Sequence, residues 1–205
     1  MTEARGVWVP AGEGEGTWED RGSRFLAFAF PVAGEPEFEE RLLALRQRHP
    51  KARHHCWAWR LRDRHRFSDD GEPGGTAGRP ILQALEAAEL VDAACVVVRW
   101  FGGVKLGTGG LVRAYGGAAA RAVQACGRRF REEERCFRLF LPFELLGLRS
   151  ELESACPGLL WEEDAFTDSG WRARARLPAS EAPALLSRLR EGGARGVVVE
   201  PEDRC

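Results

Sequence analysis

An α+β fold in two domains is predicted by three observations. The chain's 205 residues suit two small domains better than one large one. Apolar residues recur with a period of two in some segments and with helical spacing in others. The pattern then restarts after the charged stretch RRFREEER, which places the boundary near Arg135, with residues 1–135 in one domain and 136–205 in the other.

The elements follow in order. Residues 11–22 are a Gly/Glu-rich opening, and SRFLAFAF after it reads as a strand. Glu35–His49 reads as an amphipathic helix. Its acids (Glu37, Glu39, Glu40) come first, its bases (Arg46, Arg48) last, and Pro50 stops it, the order that the helix dipole favours. HHCWAWRL is a second strand. The turn-rich SDDGEPGGTAG leads into a helix with Pro80 in its first turn and Ile81, Leu82, Leu85 and Ala88 on it. AACVVVRW is a buried strand, and FGGVKLGTGG opens a small-residue helix to about Cys126. On that helix Gly116, Ala119 and Ala120 would permit close approach to a sheet. Beyond the boundary, FRLFL, PGLLWEEDAF, WRARARL and GVVVE read as strands. Leu145–Ala155 and Ser180–Arg190 read as helices, so the order is βαββαβ, the ferredoxin-like pattern.

Composition limits the function classes. Hydrophobic residues make up 44% and charged residues 30% of the chain, and a formal net charge of −1 excludes a uniformly polycationic nucleic-acid binder. No apolar run approaches the roughly 20 residues that span a bilayer, so no membrane partner and a cytoplasmic location are expected. The 28 Arg against 2 Lys, with no Asn, reflect the genome rather than the function. Cysteines 56, 95, 126, 136, 156 and 205 form no CxxC pair and read mostly as buried thiols. Charge is nevertheless uneven. Arg46–Arg66 holds eight bases against Asp63 alone, Ala93–Arg131 seven against none, and residues 137–205 nine bases against twelve acids. A local basic face on the first domain is consistent with this, although the alternating Arg60, Arg62, Arg64 and Arg66 also suit the wet side of a strand.

Two Gly-rich loops, each entering a helix, are the sharpest chemical features. Free N–H groups and the dipole at a helix start attract anions, and glycine lets them approach. In DDGEPGGTAGRP the candidate contacts are Thr76 and Arg79. In FGGVKLGTGGLVRAY they are Lys105, Thr108, Arg113 and Tyr115, with Arg99 just before the loop and His54 on the second strand. Neither loop is a nucleotide signature: Thr108 stands where a phosphate-binding GxxxxGK loop has Lys. Asp69, Asp70 and Glu72 are a candidate oxygen cluster for Mg²⁺. Consecutive His54, His55 and Cys56 cannot converge on one metal from a strand, because neighbours face opposite ways. Ser68 lies in no nucleophile elbow, which argues against a hydrolytic triad.

SRF, HHCWAW, FSDDGEPGGTAGRPIL and VVVRWFGGVKLGTGGLVRAYGGA together resemble the signature segments of the IMPACT family, and the two-domain layout resembles its bacterial YigZ-like members. The resemblance is strong over residues 21–126. It implies an N-terminal domain of the ribosomal-protein type with a left-handed βαβ crossover. It also implies a ferredoxin-like C-terminal domain resembling one of elongation factor G, which makes RNA or the ribosome an attractive partner by analogy. Eukaryotic relatives regulate translation through a kinase pathway that bacteria lack. Gly74 departs from the Ser or Ala common in relatives, and Gly22 from a basic residue, which weakens a basic rim there.

The expectation is a non-enzymatic, translation-associated regulator that binds RNA or ribosome-linked phosphates through both loops. It needs no cofactor and has a possible protein partner in the translation machinery. Aromatic stacking by Trp57, Trp59 or Trp100 is an optional addition. The alternative is a hydrolase or phosphotransferase acting on a small phosphorylated substrate through carboxylate-bound metal.

Overall fold

A computed structural model of the chain describes residues 6–191 and 197–202. Gly196, Cys205 and residues 1–5 therefore lie outside the described residues. Val7–Arg131 form one compact unit; Glu132 onward, grouped with Gly6, form the other.

The first unit runs β1 (Gly6–Pro10), β2 (Gly14–Asp20), β3 (Ser23–Pro31), α1 (Glu35–Arg48), β4 (His54–Arg60), β5 (His65–Ser68), α2 (Gly78–Ala87), β6 (Ala93–Trp100), α3 (Gly107–Cys126) and β7 (Arg128–Glu132). Five strands form a sheet in the order β2-β3-β6-β4-β5, each pair antiparallel, and β1 pairs with β7 separately. Both β3 and β4 run antiparallel to the central β6, hence parallel to each other, and α1 connects them. Period-two alternation sends Phe25, Ala27, Cys56, Ala58, Cys95 and Val97 to the face covered by α2 and α3. Phe28, Phe30, Trp59, Val96 and Val98 go to the face covered by Phe38 and Leu42 of α1. With both faces covered, β6 has to be apolar throughout, as its run of β-formers indicated.

Besides β1, which precedes every element read from the sequence, three strands escape the sequence pattern. The Gly-rich opening contains β2, whose glycines are a packing requirement. A Cβ on Gly14 would lie 2.2 Å from the backbone N of Cys126, and one on Gly16 would lie 2.4 Å from that of Ala122. The close helix face is Gly117, Ala118 and Ala122; of the expected set, Ala119 is buried in the same core and the other two residues are not on that face. A Cβ on Gly117 would meet the Trp18 ring at 2.4 Å, whereas Gly116 faces Pro80 of α2 and Ala120 is exposed. β5 is the second missed strand. The chain turns after Arg60 and Leu61 and returns with His65 opposite Arg60, so the four alternating arginines do not share one strand face. RRFRE, within the charged stretch before the pattern restarts, is β7, and Phe130 packs edge-on against Trp8 at 5.3 Å.

The second unit contains β8 (Glu134–Pro142), a short 3-10 turn (Phe143–Leu145), α4 (Leu148–Ala155), β9 (Leu160–Phe166), β10 (Gly170–Pro178), α5 (Ala182–Glu191) and β11 (Val198–Glu202). Its antiparallel sheet has the order β11-β8-β10-β9. Phe137, Leu139, Leu141, Trp171, Ala175 and Leu177 share a core with Leu148, Leu152, Leu185 and Leu189 of the two helices. Alternation turns Arg172, Arg174 and Arg176 outward, where Arg174 and Arg176 pair with Glu162. Cys56, Cys95, Cys126 and Cys156 are buried free thiols. No helix among the described residues is long and apolar enough to cross a membrane.

Candidate nucleic-acid interface

The two Gly-rich loops meet at their roots through one buried carboxylate. Strand register lines up Phe25, Arg99 and His54 across β3, β6 and β4, on the face that α2 and α3 cover. Glu72, from the first loop, reaches this row. Its Oε1 accepts a charge-assisted hydrogen bond from Arg99 Nη1 and another from the Tyr115 hydroxyl at 2.8 Å, and lies 3.8 Å from His54 Nε2. The side chains of Arg99 and Glu72 are only 6% and 5% exposed. Arg99 also reaches Ser23 Oγ at 3.4 Å, and that oxygen accepts the Gly102 N–H at 3.2 Å. His54 Nδ1 lies 2.8 Å from the Asp70 carbonyl, which only accepts, so the ring proton resides on Nδ1.

The first loop satisfies itself. Asp69 Oδ1 accepts the N–H groups of Ala77 (2.9 Å) and Gly78 (2.8 Å), and Oδ2 accepts that of Gly75 (2.8 Å). A carboxylate of the chain thus occupies the helix start where an external anion was expected. Thr76 is buried and donates to the Pro73 carbonyl at 2.6 Å. Asp70, at φ +42°, accepts the His55 N–H at 2.7 Å and pairs with Arg46 at 3.1 Å. Asp69, Asp70 and Glu72 therefore spend their oxygens on three separate sets of partners rather than on one centre. Among the described residues no cluster of His, Cys, Asp or Glu could hold a metal ion. Burial also pushes the Cys56 thiol well above its ordinary pKa, so it is no nucleophile at neutral pH.

The second loop is different. The start of α3 has no side-chain cap, and Gly103 (φ +87°) and Gly107 (φ +72°) leave the space where a Cβ would project open. Lys105, Thr108 and Arg113 are exposed here, as is Arg79 in the first turn of α2, and the three cations have no acidic partner among the described residues. Pro80 lies against Gly116, which puts that turn of α2 beside α3. Of the sequence-derived contacts, Arg79, Lys105, Thr108 and Arg113 are thus available to a ligand, while Thr76, Arg99 and Tyr115 serve the interior. Gly22 has a structural reason: at φ +76° it abuts Gly102, where a Cβ would lie 1.9 Å from the Gly22 carbonyl carbon. Arg21 beside it is exposed. Among the tryptophans, Trp59 is buried, Trp57 packs on Phe38, and Trp100 lies under Arg24.

The model of the Impact N-terminal domain family matches residues 21–123, a span that contains both loops and every strand of the five-stranded sheet except β2. The chain belongs to the IMPACT family. An IMPACT family member of Thermus thermophilus is 47% identical over 158 residues, covering 76% of this chain and 84% of the relative. YigZ of Escherichia coli is 40% identical over 121 residues, covering 57% of this chain and 59% of YigZ. A crystal structure described as that of a hypothetical protein superposes with a TM-score of 0.72 at 29% identity, covering 94% of this chain and 95% of the other. The similarity thus extends through both units.

Buried His55 and half-buried His49 give the stability of this IMPACT family protein a pH dependence. Nε2 of His49 and of His55 are buried without a hydrogen-bond partner. Burial lowers both pKa values from the ordinary 6.5, with Arg48 adding to the effect at His49 and Asp70 opposing it at His55. A lowered folded-state value means that the unfolded chain takes up protons first. Their contribution is intact above about pH 6.5 and is lost as the pH falls below that towards the folded values. The melting temperature of the parent is expected to decline from pH 7 to 5 more steeply than that of the His49→Gln/His55→Gln variant. Parallel declines would assign the acid sensitivity elsewhere.

Proposed function

We propose that this IMPACT family protein is a non-enzymatic, cytoplasmic regulator associated with translation, whose N-terminal unit binds RNA phosphates. The observation that carries the proposal is the second Gly-rich loop. It combines an uncapped helix start, glycine backbone open to solvent, and Lys105, Arg113 and Arg79 unneutralised around it. Backbone N–H groups and fixed cations of this kind recognise phosphate without reading sequence. The first loop acts as a brace: through Glu72 it holds the root of the second. The resemblance to ribosomal-protein and ferredoxin-like domains of elongation factor G supports a ribosomal setting. The βαββαβ order of the second unit, with strand order β11-β8-β10-β9, fits that reading. Its outward arginines offer a second contact or a surface for a protein of the translation machinery.

Phosphate contacts release counterions, so affinity for RNA should fall steeply with salt. In Lys105→Ala/Arg113→Ala, affinity for a single-stranded RNA is expected to drop at low salt. The slope of log affinity against log salt should become shallower by about 1.4, for two lost contacts at roughly 0.7 each. Unchanged affinity in the variant, or a flat salt response in the parent, would refute the proposal.

A further inference from the structure

We infer that Phe101 is a base-stacking platform and that the RNA recognised by the second loop is single-stranded, an inference that rests on the function proposed above. Phe101 is the first residue after β6, and 41% of it is exposed although it is large and apolar. The guanidinium groups of Arg99 and Arg53 lie 5.6 and 5.9 Å from its ring centroid, so the ring is held by two cations while a substantial part stays open. Its immediate followers, Gly102 and Gly103, add no side chains that would obstruct a flat ligand. Val104 beyond them is also exposed, which makes the loop apolar at its tip and cationic at its flanks.

The occupant follows from charge and shape. Lys105 and Arg113 in this loop and Arg79 beside it are exposed and have no acidic partner among the described residues. Arg21 joins them, because the turn between β2 and β3 abuts Gly102. An apolar partner protein would leave those cations desolvated and unpaired, whereas a polyanion with flat apolar faces satisfies both parts. A single strand offers its bases to a ring; a duplex buries them in its own stack and presents mainly phosphate and 2′-hydroxyl groups. The three tryptophans named from sequence are committed to the interior or to Arg24, which leaves Phe101 as the aromatic of this loop with free surface.

The test measures binding of a 15-nucleotide oligouridine and a 16-base-pair RNA duplex to the full-length parent, Phe101→Leu and Phe101→Trp, with thermal melting of each variant. Leucine keeps the apolar cover over Arg99 and loses the π face. Phe101→Leu is expected to weaken oligouridine binding roughly tenfold or more and to leave duplex binding unchanged, while Phe101→Trp retains or improves oligouridine binding. Equal losses on both RNAs, or no loss on oligouridine with the salt dependence intact, would overturn the stacking role and leave phosphate binding standing. Failure of the parent to bind either RNA, including the case where only an acidic peptide binds, would overturn the proposed function itself. If Phe101→Leu melts early, Phe101→Trp decides: weaker oligouridine binding by a folded Phe101→Trp also counts against stacking.

Discussion

Gly16→Ala should lower the melting temperature of the N-terminal unit by roughly 5–10 °C, the equivalent of about 2 kcal/mol of overpacking in a unit of this size. The added Cβ would lie 2.4 Å from the Ala122 N and 2.5 Å from the Ala118 O. Both are backbone atoms of α3, so no rotamer change relieves the clash. Either the helix lifts from β2 or the strand shifts at the sheet edge, and both lose contacts of Ala118, Ala122 and Cys126, which are buried in the core of this unit. Gly14→Ala meets the same helix at 2.2 Å, and combining the two should cost more than either alone. Gly12→Ala is the control, since nothing lies within 4 Å of its added Cβ. Thermal unfolding followed by tryptophan fluorescence measures the parent and all four variants. A Gly16→Ala variant that melts with Gly12→Ala would show that α3 does not press on β2 as described.

The same glycines explain what the sequence concealed. Strands β3, β4 and β6 and helices α1, α2 and α3 were legible because each carries its own signal, a run of aromatic or β-forming residues in the strands and apolar or small residues at helical spacing in the helices. In β2 the inward residues are Gly14 and Gly16, so the strand has no apolar alternation to read; its inward surface is an absence that only the facing helix makes meaningful. The arginine alternation from Arg60 to Arg66 looked like one strand because a turn centred on Arg62 and Asp63 preserves the spacing across a reversal. At the site, both loops could be found from glycine and the helix that follows. That Asp69 fills the first could not, because its partners are six to nine residues further along. Two signals were available for the buried cluster. Arg99 continues the inward alternation of Cys95 and Val97, which marks it as a buried cation needing a counter-charge. Tyr115 falls on the apolar stripe of Leu111, Ala114, Ala118 and Ala122, which marks its hydroxyl as facing inward.

Glu72→Ala should be the most damaging single change at the site, destabilising the N-terminal unit by about 3–5 kcal/mol, because it leaves the Arg99 guanidinium buried without its counter-charge. Arg99 cannot escape by losing its proton, since guanidinium stays charged in proteins. Nor does it have other strong partners. Its Nε is already buried without an acceptor, its Nη2 has only the 3.4 Å contact to Ser23, and Phe25 and Phe101 flank it. Tyr115 loses its acceptor in the same step. Glu72→Gln keeps an oxygen for that hydroxyl but not the charge, so it should fall between parent and alanine. Removing both charges tests the cause: Glu72→Leu combined with Arg99→Met replaces the pair by apolar side chains and should recover most of the loss, as buried pairs generally allow. The RNA interface gives a second readout, because Glu72 ties the first loop to the root of the second. The double variant should therefore regain stability yet bind RNA less tightly than the parent, with the second loop no longer braced. Urea unfolding and RNA titration of the four proteins separate these effects. If the double variant is no more stable than Glu72→Ala, the penalty lies in lost packing of the first loop and the buried charge is not its origin.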